Sequence, residues 1–186
     1  MSDALDISSN RSARKYSRTE LLGRVLWGMA WPLFRFSPRL LWGWRTVLLR
    51  LFGAKIGRHV QIHPSVRIFL PWNLEVGDWS SIGFDALVYN LGRVTIGERV
   101  TISQRAHLCA GSHDYRDSAM LLLKPPIRVG DGAWICADAF VGPGVSVGEG
   151  AVLGACSVVM RNVERNSVMA GNPARRVADK DKSTSR

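Results

Sequence analysis

Long apolar runs are missing from this chain of 186 residues. No uncharged apolar stretch reaches the roughly 18 residues that a membrane-spanning helix needs, so no such helix is expected. Cysteine is scarce: Cys109, Cys136 and Cys156 are three, an odd number without framework spacing. That excludes a disulfide scaffold, and it leaves no paired ligands at the short spacing of a zinc site. The expectation is reduced thiols in a cytoplasmic protein, packed as small apolar residues. Acidic residues are also few, 15 Asp and Glu against 25 Lys and Arg. Charged residues make up 22% and hydrophobic ones 46%, the balance of one globular domain rather than a disordered chain.

The basicity is local. Residues 1–58 hold eleven Lys and Arg against Asp3, Asp6 and Glu20, whereas residues 59–186 hold fourteen against twelve acids. An almost neutral body argues against nucleic-acid binding, and the basic section suits a local anionic contact such as a membrane surface. Residues 1–19 are Ser- and Arg-rich and read as a flexible polar tail; with no apolar core they do not make a secretory signal. Residues 20–55 form a Trp- and Arg-rich helical segment. There Trp27, Trp31, Trp42 and Trp44 alternate with Arg24, Arg35, Arg39, Arg45 and Arg50. Two short helices broken around Pro32 and Pro38 are expected. Such helices either lie in a lipid interface, possible peripheral contact with the inner membrane, or pack on the domain end or a partner subunit.

From residue 56 an aliphatic residue recurs every sixth position: Ile56, Ile62, Ile68; Val76, Ile82, Val88; Ile96, Ile102, Leu108. The count resumes at Val129, Ile135, Val141, Val147, Leu153 and Val159, and Gly often follows the aliphatic residue, as at positions 57, 77, 97, 130 and 148. Six is neither a helical nor a strand period, so it marks a repeat architecture. Each six reads as a short strand plus a corner, three sixes make a triangular coil, and stacked coils cover one another's apolar edges. The β-helix is expected over 56–170, followed by a C-terminal turn and basic tail over 171–186.

The grouping in threes also locates an insertion. Ile56 to Val76 and Val76 to Ile96 each span 20 residues, but Ile96 to Val129 spans 33. The extra thirteen fall in the third side of the third coil, within "CAGSHDYRDSAMLLLKPP", so a loop over 109–126 bulges from one edge of the prism.

These motifs, "FGAKIG", "FLPWNLEVGDWSSIG", "VTIGERVTISQRAHLCAGSHDY", "VGPGVSVGEGAVLGACSVV" and "AGNPARRV", resemble the hexapeptide-repeat acyltransferases. Within them the match is to the exopolysaccharide acetyltransferases of the colanic-acid type, over residues 40–177. The resemblance implies an all-β left-handed parallel β-helix. It also implies transfer of an acetyl group from acetyl-CoA to a sugar or lipid-linked glycan, by a homotrimer with sites between subunits and no metal.

Acyl transfer to an alcohol needs a base for the hydroxyl proton, donors for the oxyanion and a groove for the carrier. Histidine titrates in the range that serves as base. His113, at the root of the loop, matches the family's catalytic histidine. A backbone carbonyl or a carboxylate such as Asp85 would orient its ring; Asp114, adjacent in sequence, contacts sugar or anchors the loop. The resemblance assigns the carrier to Ala137, Ala155, Met160, Arg161 and Arg175, with Arg176 in reserve, and acceptor binding to Asn90. Gly83 stands where related sugar enzymes carry an oxyanion-holding Asn, and Ala178 where they carry a basic residue. His59, His63 and His107 read as structural or solvent-facing, His107 at a corner. A γ-class carbonic anhydrase would share the prism, but it needs three converging histidines that this sequence lacks. An inactive scaffold, or an acetyltransferase for a small acceptor other than a polysaccharide unit, remains the alternative.

Overall fold

A computed structural model describes residues 5–180. The calls on residues 1–4 of the tail and on 181–186 of the C-terminal tail lie outside the described residues.

Parallel strands line three faces of a prism. The first face holds Lys55–Ile56, Leu74–Val76, Val94–Ile96, Ile127–Val129 and Ser146–Val147, paired in that order. The second holds Gln61–Ile62, Ser81–Ile82, Thr101–Ile102, Trp134–Ile135, Val152–Leu153 and Ser167–Ala170, and the third Arg67–Ile68, Leu87–Tyr89, His107–Cys109, Phe140–Val141 and Val158–Val159. The six-residue ladder is the register itself. Ile56 pairs with Val76, Val76 with Ile96, Ile96 with Val129, and Val129 with Val147. Along the second face Ile62, Ile82, Ile102, Ile135 and Leu153 succeed one another in the same way.

Stacking explains the pattern's other positions. The ladder residue and the residue two before it, such as Val94 and Ile96 or Ala133 and Ile135, are buried in one continuous core. The glycine after the ladder residue is there because coils touch: a Cβ on Gly77 would sit 2.7 Å from the carbonyl carbon of Gly97. The left-handed corner residue comes two positions later, and it is often not glycine: His59, Trp79, Asp85, Arg99, Arg105, Asp138 and Cys156 all have positive φ.

The N-terminal helices close the open first coil. Helix α1 spans Ile7–Ser12, α2 Arg18–Arg35 and α3 Trp42–Leu51. Contrary to a flexible tail over 1–19, residues 6–12 contain a helix capped by Asp6, whose carboxylate accepts from the Ser9 N–H at 2.9 Å and is held down to about pKa 2 by its bonds to Ser9 and Ser8. The break expected around Pro32 and Pro38 falls at Pro38: Pro32 lies inside α2, which runs on to Arg35, and the chain turns at Pro38 before α3 begins.

Trp27, Phe34, Leu48 and Leu49 join the core, and Trp27 Nε1 donates to the carbonyl of Ile68 at 2.9 Å. Arg45, expected on an outer edge, is fully buried. Its guanidinium donates to the carbonyls of Ile62 (2.7 Å), Pro38 (2.9 Å) and Arg39 (2.7 Å). With every contact neutral, burial lowers its pKa from the usual arginine value.

At the opposite end the chain reverses at 171–174, and Arg175–Asp179 returns antiparallel along Ser167–Ala170. The expected basic tail is therefore a strand over these residues, and it covers the last sheet edge.

Candidate active site

The loop leaves the prism where the third face of the third coil should turn into the first face. Ser112–His113 and Leu122–Leu123 form an antiparallel hairpin standing off the stack, with Ser112 opposite Leu123 and His113 opposite Leu122. Gly92 lets the returning strand cross close by: a Cβ there would lie 2.4 Å from the Lys124 carbonyl oxygen. Short polar turns fix the tip. The Asp114 carboxylate accepts from the Arg116 N–H (3.0 Å), that of Asp117 from the Ala119 N–H (2.9 Å), and the Met120 N–H reaches the Asp117 carbonyl (2.8 Å).

These turns aim the Met120 carbonyl at His113, whose Nδ1 lies 2.6 Å from it. A carbonyl only accepts, so Nδ1 carries a proton, and in the neutral ring it is Nε2 that holds the lone pair. The side chain of His113 is exposed. Of the two orienting groups left open by the sequence, the backbone carbonyl is the one in place. Asp85 sits at a corner of the second coil, its N–H bonded to Ser65 Oγ at 2.8 Å. Asp114 is adjacent to His113 in sequence, and one of its oxygens is held by the loop turn.

Asn90 does not belong to this site. It is fully buried, its Oδ1 accepting from the Leu70 N–H (3.0 Å) and its Nδ2 donating to the Leu70 carbonyl (2.6 Å), so neither end is left for an acceptor. Gly83 is likewise committed: its N–H donates to the Ile102 carbonyl at 2.8 Å and a Cβ would meet Gln104 N at 2.9 Å. His107 is on a strand of the third face, not at a corner. Its ring meets Phe140 edge-on at 5.0 Å, and its buried Nε2 has no hydrogen-bond partner among the described residues. His59 stacks on Trp79 at 4.0 Å, and His63 Nδ1 lies 2.8 Å from Ser65 Oγ.

The expected carrier residues fall on two edges. Ala137 and Ala155 occupy successive corners between the second and third faces. The Ala137 N–H and both backbone groups of Ala155 make no hydrogen bond among the described residues, while the Ala137 carbonyl accepts from Cys156 at 2.9 Å. Met160 and Arg161 follow the third face, on the same edge as the loop, and both are exposed. Among the described residues Arg161 has no ion-pair partner and Arg175 donates only to the carbonyl of Ala174, at 3.2 Å. Arg176 differs: it pairs with Glu164 at 2.6 Å and with Asp179, leaving little of its guanidinium free. The cleft beside the loop, about 300 Å³, is lined by Asn10, Lys15 and Leu121–Lys124, and His113 stands outside it. Among the described residues no three His, Cys, Asp or Glu side chains converge as a metal centre requires.

The bacterial transferase hexapeptide (six repeats) model matches residues 126–161. The chain is 46% identical over 151 residues to WcaF of Escherichia coli K12, described as a candidate colanic acid biosynthesis acetyltransferase, across 81% of this chain and 83% of WcaF. The chain belongs to the hexapeptide-repeat acetyltransferase family. This hexapeptide-repeat protein is also 28% identical over 144 residues to galactoside O-acetyltransferase of Escherichia coli K12, covering 74% of this chain and 71% of the relative. The crystal structure of the hexapeptide-repeat acetyltransferase VCA0836 from Vibrio cholerae superposes with a TM-score of 0.82 at 25% identity, over 89% of this chain and 95% of that one. The prism is accordingly the left-handed parallel β-helix of that family.

Proposed function

We propose that this hexapeptide-repeat acetyltransferase moves an acetyl group from acetyl-CoA to a sugar hydroxyl in the building of an exopolysaccharide. One observation carries the reading: an exposed histidine whose tautomer is set by the Met120 carbonyl, so that Nε2 is free to accept a proton. His113 Nε2 takes the acceptor's hydroxyl proton as the oxygen forms its bond to the thioester carbonyl carbon. Collapse of the tetrahedral adduct breaks the carbon–sulfur bond, and the departing CoA thiolate receives that proton from the imidazolium. The products are an acetylated sugar and free CoA. Arg161 and Arg175, neither with an acidic partner among the described residues, would hold carrier phosphates, and the unused backbone groups at Ala137 and Ala155 its pantetheine. The relatives named for colanic acid and galactoside acetylation support a sugar acceptor. Release of free CoA that requires a sugar, tested over nucleotide sugars and lipid-linked glycans, is the direct test; CoA binding without release for any acceptor would favour the inactive scaffold.

The working unit is a homotrimer with sites between neighbours. His113 and Arg161 stand on one edge of the prism and Ala137 and Ala155 on another, an arrangement that a neighbouring copy completes by bringing its second edge to the first. Its place is the cytoplasmic face of the inner membrane. No helix among the described residues is long and apolar enough to cross a membrane. Helix α2 nevertheless exposes Leu22, Val25, Leu26, Met29 and Leu33, an apolar face suited to a lipid interface. Flotation with phosphatidylglycerol-containing vesicles, abolished in a Met29→Glu/Leu33→Glu variant, is expected. Failure to float, with the same helix face protected in the assembled protein, would assign it to the subunit contact instead.

A further inference from the structure

The group that orients His113 is itself held from outside the loop. Met120 has φ of 47°, a conformation that a non-glycine residue keeps only when its surroundings impose it. The imposing contacts come from the far end of the sequence. Asn10, on α1, donates through Nδ2 to the carbonyls of both Ala119 (2.5 Å) and Met120 (3.0 Å). Lys15 Nζ lies 2.7 Å from Asn10 Oδ1. An ammonium only donates, so it fixes which end of the amide is oxygen and turns the NH2 toward the two carbonyls. One residue of the same segment adds a backbone contact, the Asp6 N–H to the Ser118 carbonyl at 2.8 Å. The segment is tied down at the loop's exit as well. Lys124 Nζ reaches the Lys15 carbonyl at 3.2 Å and Glu20 at 3.7 Å, and Tyr16 lies beneath both Arg24 and Lys124.

We propose that Asn10 is a positioning residue for the His113 base, acting through the Met120 carbonyl. The carbonyl accepts from two donors at once, the imidazole Nδ1–H and the Asn10 amide. The amide holds the Ala119–Met120 peptide in the direction that keeps the Nδ1–H tautomer. Without it the peptide is free to turn, and a carbonyl turned away leaves the ring without the contact that reserves Nε2 for the acceptor. Lys15 takes part by orienting the amide. The base is therefore completed by a segment lying outside the repeat that carries it.

This inference rests on His113 being the proton acceptor, but its first readout does not depend on activity. Long-range proton–nitrogen NMR of the histidine rings is expected to show His113 of the wild type in the Nδ1–H form. In Asn10→Ala the His113 signals are expected to shift toward a mixture of tautomers. Asn10→Asp keeps the size and the contact to Lys15 but cannot donate, so it should behave as Asn10→Ala does; Asn10→Gln, which can donate, should recover part of the wild-type signature. Once an acceptor sugar is found, kcat should fall roughly tenfold in Asn10→Ala and Asn10→Asp, with KM for acetyl-CoA unchanged. A His113 tautomer identical in wild type, Asn10→Ala and Asn10→Asp would overturn the proposal and leave Asn10 as a residue that only docks α1, whose amide exchange would then be the one property to change. A tautomer that moves as expected in a protein that acetylates nothing would uphold the positioning and sink the acetyl-transfer reading instead.

Discussion

His113 Nδ1 and the Met120 carbonyl oxygen, seven residues apart on one loop, lie 2.6 Å from each other. This one contact fixes which nitrogen of a solvent-facing histidine is left without a proton when the ring is neutral, and it requires no carboxylate. The β-helix contributes rigidity below it, since Gly92 brings the loop's return into backbone contact with the stack.

Burial makes Asn90 a structural residue, and this has a measurable sign. In Asn90→Ala the Leu70 N–H and carbonyl lose their partners in a place water does not reach. The expected cost is about 2–4 kcal/mol of unfolding free energy, read from urea denaturation. A sugar-binding role would instead raise KM for the acceptor at unchanged stability.

The two arginines with no acidic partner among the described residues should separate from the paired one. Arg161→Ala and Arg175→Ala are expected to raise KM for acetyl-CoA roughly ten- to hundredfold each with kcat little altered, as loss of a charge-assisted contact does. Arg176→Ala, already occupied by Glu164 and Asp179, should change KM by less than about threefold. Equal effects at all three positions would contradict this division.

Mixing two defective proteins tests the shared site. His113→Ala damages one edge and Ala155→Trp obstructs the other. After unfolding and refolding together, random trimers should regain about a quarter of wild-type activity, because some sites then draw both edges from undamaged copies. No recovery would mean that each chain forms its site alone.

Acid should weaken the fold before the carboxylates titrate. Burial holds the His63 ring below its ordinary 6.5, aided by the charges of Arg39 and Arg45 against the opposing Asp85, and burial likewise lowers His107, with Arg67 adding to it. The unfolded chain therefore takes up these protons first as pH falls. Stability is complete above about 6.5 and declines below it until the folded-state values are passed. The urea midpoint is expected to drop between pH 7.5 and 5.5, and to drop less in a His63→Gln/His107→Gln variant. An unchanged midpoint in the wild type would contradict it.

The strands were readable because one aliphatic residue in six has nowhere to go but the core, and Ile56, Val76, Ile96 and Val129 duly stack in register. Counting also located the loop. Asn90 was misassigned although its signal was present: along the third side Val88 points in, Tyr89 out and Asn90 in, so alternation alone places it inside. Arg45 is a similar case, lying on one helical face with Leu48 and Leu49 while its charge suggested the surface. The contact between Asn10 and residues 119–120 left no trace in the sequence. It joins a short polar segment to a turn more than a hundred residues away, and neither periodicity nor composition links them.

The central claim, that His113 is the base of an acetyl transfer to sugar, is tested most directly by free-CoA release from acetyl-CoA. Wild type and His113→Ala are compared over a pool of nucleotide sugars and lipid-linked glycans. Sugar-dependent release by the wild type, reduced roughly 10²- to 10⁴-fold in His113→Ala with the variant still folded and still binding CoA, is the expected result. Equal sugar-dependent release by both proteins would contradict it.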